Sequence, residues 1–145
     1  MDIPRLEHEN VTGYYDDTTH LLRVTYKGVV NAEVSARVYA WIGELVATMG
    51  LGESKGSVYD FRQVKDFAPG NVTTTQSRSS NLNTKIDMSK HPVALIASNI
   101  YQQKMVESVM HITPQEKRKR VVKSEDEALN FIQEFIKSLE VEGKQ

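Results

Sequence analysis

Cysteine is absent from the 145 residues. That excludes a disulfide framework, a thiol nucleophile and any Cys-ligated zinc. A charge imbalance is missing as well, with 18 Lys and Arg against 19 Asp and Glu. So balanced a chain lacks the broadly basic surface of a dedicated nucleic-acid binder. No apolar run approaches the length of a membrane span, and the opening Met1-Asp2-Ile3-Pro4-Arg5-Leu6-Glu7-His8 has no signal core. The expectation is a soluble cytoplasmic protein, in which the sequons at Asn10-Val11-Thr12 and Asn71-Val72-Thr73 mean nothing. Repeats, low-complexity segments and a second domain are absent too. Residues 1–145 read as one domain burying roughly 68–70% of its unfolded surface, with 1–10 and 141–145 loosely ordered.

What is present is α/β grammar. Val11 to Lys27 reads as a β-hairpin, turned at Asp16-Asp17-Thr18-Thr19, with Leu22, Val24 and Tyr26 alternating against Arg23, Thr25 and Lys27. Gly28 is expected to break that strand and Asn31 to cap a helix. In that helix Val34, Val38, Trp41, Leu45 and Met49 recur at spacings of three and four, with Tyr39, Ile42 and Val46 widening the stripe. Gly43 inside it suggests close packing on the sheet, and Gly50 and Gly52 end it. Ser57–Phe61 is the next strand, and Val64 to Gly70 is expected to be a loop punctuated by Pro69. Thr73-Thr74-Thr75-Gln76 fits a capping box for a poorly buried surface helix over 71–88. Val93-Ala94-Leu95-Ile96-Ala97 is a continuous apolar run, as in a strand covered on both faces. Ser98 or Asn99 caps a helix through Met110, and Arg120-Val121-Val122-Lys123 is a short edge strand. Ser124-Glu125-Asp126-Glu127 is a capping box for the last amphipathic helix, whose tail frays from Val141.

The order is β-β-α-β-α-β-α-β-α. It predicts an α/β single domain with a mixed four- to five-stranded sheet, an N-terminal antiparallel hairpin followed by parallel strands, and about four helices.

Several strings resemble those of STAS-type, anti-sigma-factor-antagonist-like (SpoIIAA-like) small proteins. They are Leu22-Arg23-Val24-Thr25-Tyr26-Lys27-Gly28 before a long helix, Val58-Tyr59-Asp60-Phe61-Arg62, Val93 to Ala97, and Val121 through Ser124 to Ile132. The resemblance spans most of residues 12–140. It implies a mixed sheet flanked mainly on one side by helices, and a non-enzymatic module that binds a protein partner or a small ligand. A homodimer is compatible with it. Phosphorylated members of the wider group carry Ser or Thr directly after the Asp that closes the second strand. Here Phe61 and Arg62 stand there, and the first hydroxyl is Thr73. Thr73, Thr74 or Thr75 at a helix N-terminus could accept a phosphate through the dipole and free amides. The bland alternative, a polar exposed helix start, is the favoured one.

Gly52-Glu53-Ser54-Lys55-Gly56 matches G-x-S-x-G, but it follows a helix and precedes a strand, the reverse of a nucleophile elbow. His8, His20, His91 and His111 show no metal-ligand spacing, so no metal is expected. Lys117-Arg118-Lys119-Arg120 either contacts phosphate or is a solvated run balanced by Glu116 and Glu125-Asp126-Glu127. The solvated run is favoured. Asp60, Arg62, Asp66 and Phe67 lie at a strand's carboxyl end, with Ser98 and Asn99 at the neighbouring strand's end. Open α/β sheets place ligands and partners there, although Asp60 could equally cap a turn and pair with Arg62 or Lys65. No carboxylate has a partnered acid, base or nucleophile. The chain therefore reads as a non-enzyme without cofactor, with a protein partner or a small apolar or anionic ligand meeting the strand ends.

Overall fold

The computed structural model describes residues 3–50, 54–67, 90–109 and 117–143. Its centre is one six-stranded sheet in the order β1-β2-β3-β4-β5-β6. The strands are β1 (Leu6–His8), β2 (Val11–Asp16), β3 (Leu21–Val30), β4 (Gly56–Phe67), β5 (Val93–Ile96) and β6 (Lys119–Val122). The first three pair antiparallel and the rest parallel. Three helices accompany them among the described residues: α1 (Ala32–Met49), α2 (Ile100–Val109) and α3 (Glu125–Gly143). The helix expected over 71–88 lies outside the described residues.

Successive parallel strands are added in one direction, so right-handed crossovers place their helices on one face. Accordingly α1 and α2 bury Val34, Val38, Trp41, Leu45 and Val106 against Leu22, Val24, Tyr59 and Leu95. Of the three described helices only α3, which follows the last strand, reaches the other face. There Ala128, Phe131 and Ile132 pack on Leu21, Val58, Ala94 and Ile96. The odd and even residues of β4 and β5 thus serve two cores, which is why β5 reads as an unbroken apolar run.

The sheet departs from expectation in number and length. Residues 1–10 were expected to be loose, yet Leu6 is buried and pairs with Gly13, which adds a sixth strand at the edge. Gly28 does not break β3. It adopts φ +71, open to glycine, inside a strand that runs on to Val30. The stretch from Val64 read as a loop is strand as far as Phe67. Two register shifts, between Thr25 and Lys27 and between Gly28 and Val29, each insert one extra residue into β4. Such bulges destroy the period of two by which a strand is recognised. Past β5, β3 and β4 therefore continue together as a two-stranded extension.

Helix ends follow their caps. Asn31 Oδ1 accepts the Val34 amide at 3.0 Å, and the Gly50 amide returns to the Val46 carbonyl at 2.9 Å. In the last helix Ser124 Oγ accepts the Glu127 amide at 3.2 Å, while Glu127 reaches back to the Lys123 amide at 2.8 Å. That helix continues through Gly143 instead of fraying from Val141. Gly43 also differs from expectation. It is exposed, and a Cβ there would meet nothing within 4 Å, so it is not packed on the sheet. Glycines in close packing are Gly13, whose Cβ would lie 3.0 Å from the Trp41 ring, and Gly56, whose Cβ would lie 3.0 Å from the Pro92 carbonyl. Trp41 is held in turn by its indole N–H donating to the Pro4 carbonyl at 2.9 Å.

Candidate functional site

The parallel strands β4 and β5 end side by side at Asp60 and Ile96, and the bulged extension of β4 carries the chain on to Arg62, Asp66 and Phe67. The strand-end residues singled out from sequence come together here. The Asp60 carboxylate accepts the Arg62 amide at 3.0 Å, Arg62 Nε at 3.0 Å and the terminal guanidinium nitrogen at 2.7 Å. This is a bidentate pair with a backbone bond added. Burial pushes the Asp60 carboxyl up, but the Arg62 hydrogen bonds outweigh it and hold the group below its ordinary value. Asp60 is therefore a charge-compensated anchor beside the first bulge of β4 and presents no free carboxylate.

Ser98 and Asn99 are likewise engaged internally. Asn99 Oδ1 accepts the Gln102 amide at 2.8 Å and so caps α2. The Ser98 amide and hydroxyl both donate to Gln102 Oε1 at 2.8 Å. Gln102 is buried and turns its Nε2 to the carbonyls of Arg62, at 3.2 Å, and Val64, at 3.0 Å. Where β5 stops, one amide side chain replaces it as the neighbour of β4 and satisfies carbonyls that would otherwise lack partners. Gln102 was not singled out from sequence. The signal was available, since positions 102 and 106 lie four apart on the buried stripe of α2 and a polar residue on that stripe needs internal partners.

Among the described residues that face outward at this end is Asp66. Asp66 Oδ1 accepts the Phe67 amide at 2.8 Å and receives the Tyr101 hydroxyl at 3.5 Å. Phe67 is half-buried, its ring 6.0 Å from that of Phe61, which stacks on Tyr26 at 4.6 Å. Tyr101 and Ile100 are exposed at the start of α2, and Val29 at the end of β3. These three apolar residues were not anticipated from sequence, where nothing distinguishes an exposed helix start from a buried one.

The basic run lies at the opposite, amino end of the parallel strands, so it forms no common site with Asp60. Arg118 donates to the His91 carbonyl at 3.2 Å, and the Arg120 guanidinium sits 4.7 Å from the Phe131 ring centre. Both guanidinium heads of the run are thereby tied to the fold. Beside them the buried pair Ser57 Oγ and His91 Nε2 meet at 2.8 Å. Burial first, then the Arg118 charge, lower the His91 pKa to about 4. A serine beside a neutral imidazole has the elements of a nucleophile and base, but both are buried and no third group orienting the imidazole is evident among the described residues. Burial, and after it the neighbouring phenols, also pushes the Tyr26 and Tyr59 hydroxyls up. Thr73, Thr74 and Thr75 lie outside the described residues. Among those described, no group of three or more His, Asp or Glu is placed to hold a metal, and no helix is long and apolar enough to cross a membrane.

No family model matches the sequence, and no curated protein does. Solved structures do. The chain is similar to an uncharacterised DUF3478-family protein with a SpoIIAA-like fold from Shewanella loihica PV-4 (14% identity, 88% of this chain and 97% of that one, TM-score 0.57). It is similar to an anti-sigma factor antagonist from Mycobacterium paratuberculosis (16% identity, 88% and 99% covered, TM-score 0.56). It also resembles the anti-sigma factor antagonist SpoIIAA in its unphosphorylated form (10% identity, 79% and 91% covered, TM-score 0.50). The fold is therefore STAS/SpoIIAA-like, as the sequence strings implied.

Proposed function

We propose that this protein is a non-enzymatic regulatory module that binds a protein partner through the carboxyl end of its parallel strands. The observation that carries the reading is the pairing of exposed Tyr101 with Asp66, beside exposed Ile100 and Val29. Large apolar groups around one carboxylate suit recognition, because aromatic anchors supply most of the energy of a protein interface. The candidate polar groups around them are already engaged: Asp60 by Arg62, and Ser98 and Asn99 by Gln102. Among the described residues at this end of the sheet, that leaves no acid, base and nucleophile set for a reaction. The anti-sigma factor antagonists of similar fold lend the reading support by analogy. A cytoplasmic setting goes with it.

A carrier of a small apolar or anionic ligand, the alternative drawn from sequence, would need Asp60, Ser98 and Asn99 as anchors. Each has an internal partner, so the protein-binding reading is preferred. A phosphate on Thr73, Thr74 or Thr75 would add charge to a segment that begins a few residues beyond Phe67, and is kept as a modification to be sought by mass spectrometry.

The test is affinity capture from the source cell with the wild-type protein and a Tyr101→Glu variant as baits. Recovery of one protein at a stoichiometric level by the wild type, and its loss with the variant, is the expected result. Equal recovery by both, or none by either, contradicts the reading.

A further inference from the structure

The basic run read from sequence is joined in the fold by cations from two other loops. Ser57, Val93 and Lys119 are register partners across β4, β5 and β6, so the chain enters these three parallel strands side by side, about 4.8 Å from strand to strand. Lys55, Lys90 and Lys117 stand just ahead of those entries, and all three are exposed. No carboxylate among the described residues pairs with any of them. The β2–β3 turn brings exposed Asp17 to this end, next to Lys55, whose amide donates to the His20 carbonyl at 2.7 Å. Among the described residues the end is thus positive.

The kind of cation narrows what this end can meet. The arginines of the run are held on the His91 carbonyl and the Phe131 ring. What is left outward is lysine ammonium, a point charge on a flexible stem without the fixed fork of a guanidinium. Nucleic acid is read by such forks and by stacked rings, and a protein interface is anchored by large apolar side chains. None of the large apolar side chains exposed among the described residues lies on these three loops. A row of ammoniums alone suits an extended, fluid array of negative headgroups, which asks for charge and for no fixed geometry. We propose that the amino end of β4, β5 and β6 docks on an anionic phospholipid surface through Lys55, Lys90 and Lys117. The two ends of the sheet then have separate tasks. Lipid holds the amino end, and Tyr101 and Asp66 at the carboxyl end stay turned to the water. Three charges without an apolar anchor make the docking weak, reversible and sensitive to salt.

Flotation of the whole chain with vesicles tests this, using equal parts of phosphatidylcholine and phosphatidylserine beside phosphatidylcholine alone. The wild type is expected on the first vesicles and not on the second. Lys55→Gln, Lys90→Gln and Lys117→Gln should each lower binding about fivefold, and the triple variant should lose it, with circular dichroism showing that each is folded. Raising salt from about 0.15 to about 1 M, which shortens the screening length from about 8 to about 3 Å, should release the wild type. Tyr101→Glu, at the far end, should float as the wild type does. A wild type that ignores the anionic vesicles overturns the proposal, as do three single variants that all bind undiminished or a folded triple variant that still binds. Release by inorganic phosphate beyond that by chloride at equal ionic strength would mark a discrete phosphate site and overturn it too. So would capture by an oligonucleotide in preference to the vesicles, which would make the row a nucleic-acid surface.

Discussion

His91 Nε2 and Ser57 Oγ meet at 2.8 Å inside the protein, joining the entry to β5 with the start of β4. Arg118 closes the same corner from the β6 side by donating to the His91 carbonyl, and the Ser57 amide donates to the Pro92 carbonyl at 3.0 Å. Three parallel strands are thus tied at their amino ends around one neutral imidazole.

Stability should therefore depend on pH through His91. Its pKa falls from 6.5 to about 4 on folding, through burial and then through Arg118. The unfolded chain binds the extra proton in this window, so the contribution is fully present above pH 6.5 and is lost as pH falls toward 4. The full loss is about 3 kcal/mol. Urea unfolding of the wild type at pH 7.5 and at pH 4 should show it, whereas His91→Gln should flatten the dependence across that interval. An equally steep dependence in His91→Gln would assign the effect to other groups.

Gln102 should behave as a structural bridge that no similar-sized side chain replaces. Gln102→Leu leaves the carbonyls of Arg62 and Val64 and the Ser98 groups unpaired, at a cost of about 1–3 kcal/mol. Gln102→Glu keeps the size but turns an acceptor toward two carbonyls, so it should destabilise more at neutral pH and recover on acidification. Hydrogen exchange should show the α2 amides opening in both variants. Unchanged protection in α2 would sink the bridge.

Two glycines should respond to alanine with opposite signs. Gly13→Ala drives a methyl to 3.0 Å from Trp41 and should cost about 1–3 kcal/mol through overpacking. Gly43→Ala enters open space on an exposed helical turn and should stabilise by up to about 1 kcal/mol. Thermal unfolding of the two variants, in parallel with the wild type, reads the difference. The same sign for both would contradict the packing described.

Much of the fold was legible because it rests on local rules. The amphipathic stripe of α1, the continuous apolar run of β5 and the capping box of α3 each declare themselves within a dozen residues. The reach of β4 to Phe67 was not legible, because two bulges scramble the alternation that marks a strand. β1 was missed because a three-residue edge strand with one buried leucine has no period to detect. The candidate site divides in the same way. Asp60 and Arg62 lie two apart on one strand, so their pairing could be anticipated. Gln102, by contrast, meets β4 across 40 and 38 residues of chain. The Ser57–His91 pair spans 34 residues, and no spacing rule connects them. Tyr101 gains its meaning only from Asp66, 35 residues earlier.

The partner is expected to meet the carboxyl end of the parallel strands and not the amino end. A photo-crosslinking amino acid placed at Tyr101, at the carboxyl end, and separately at Lys117, at the amino end, addresses this in the intact protein. A partner joined covalently from position 101 and not from 117 is the predicted result. Crosslinking from 117 alone, or equally from both, would contradict it.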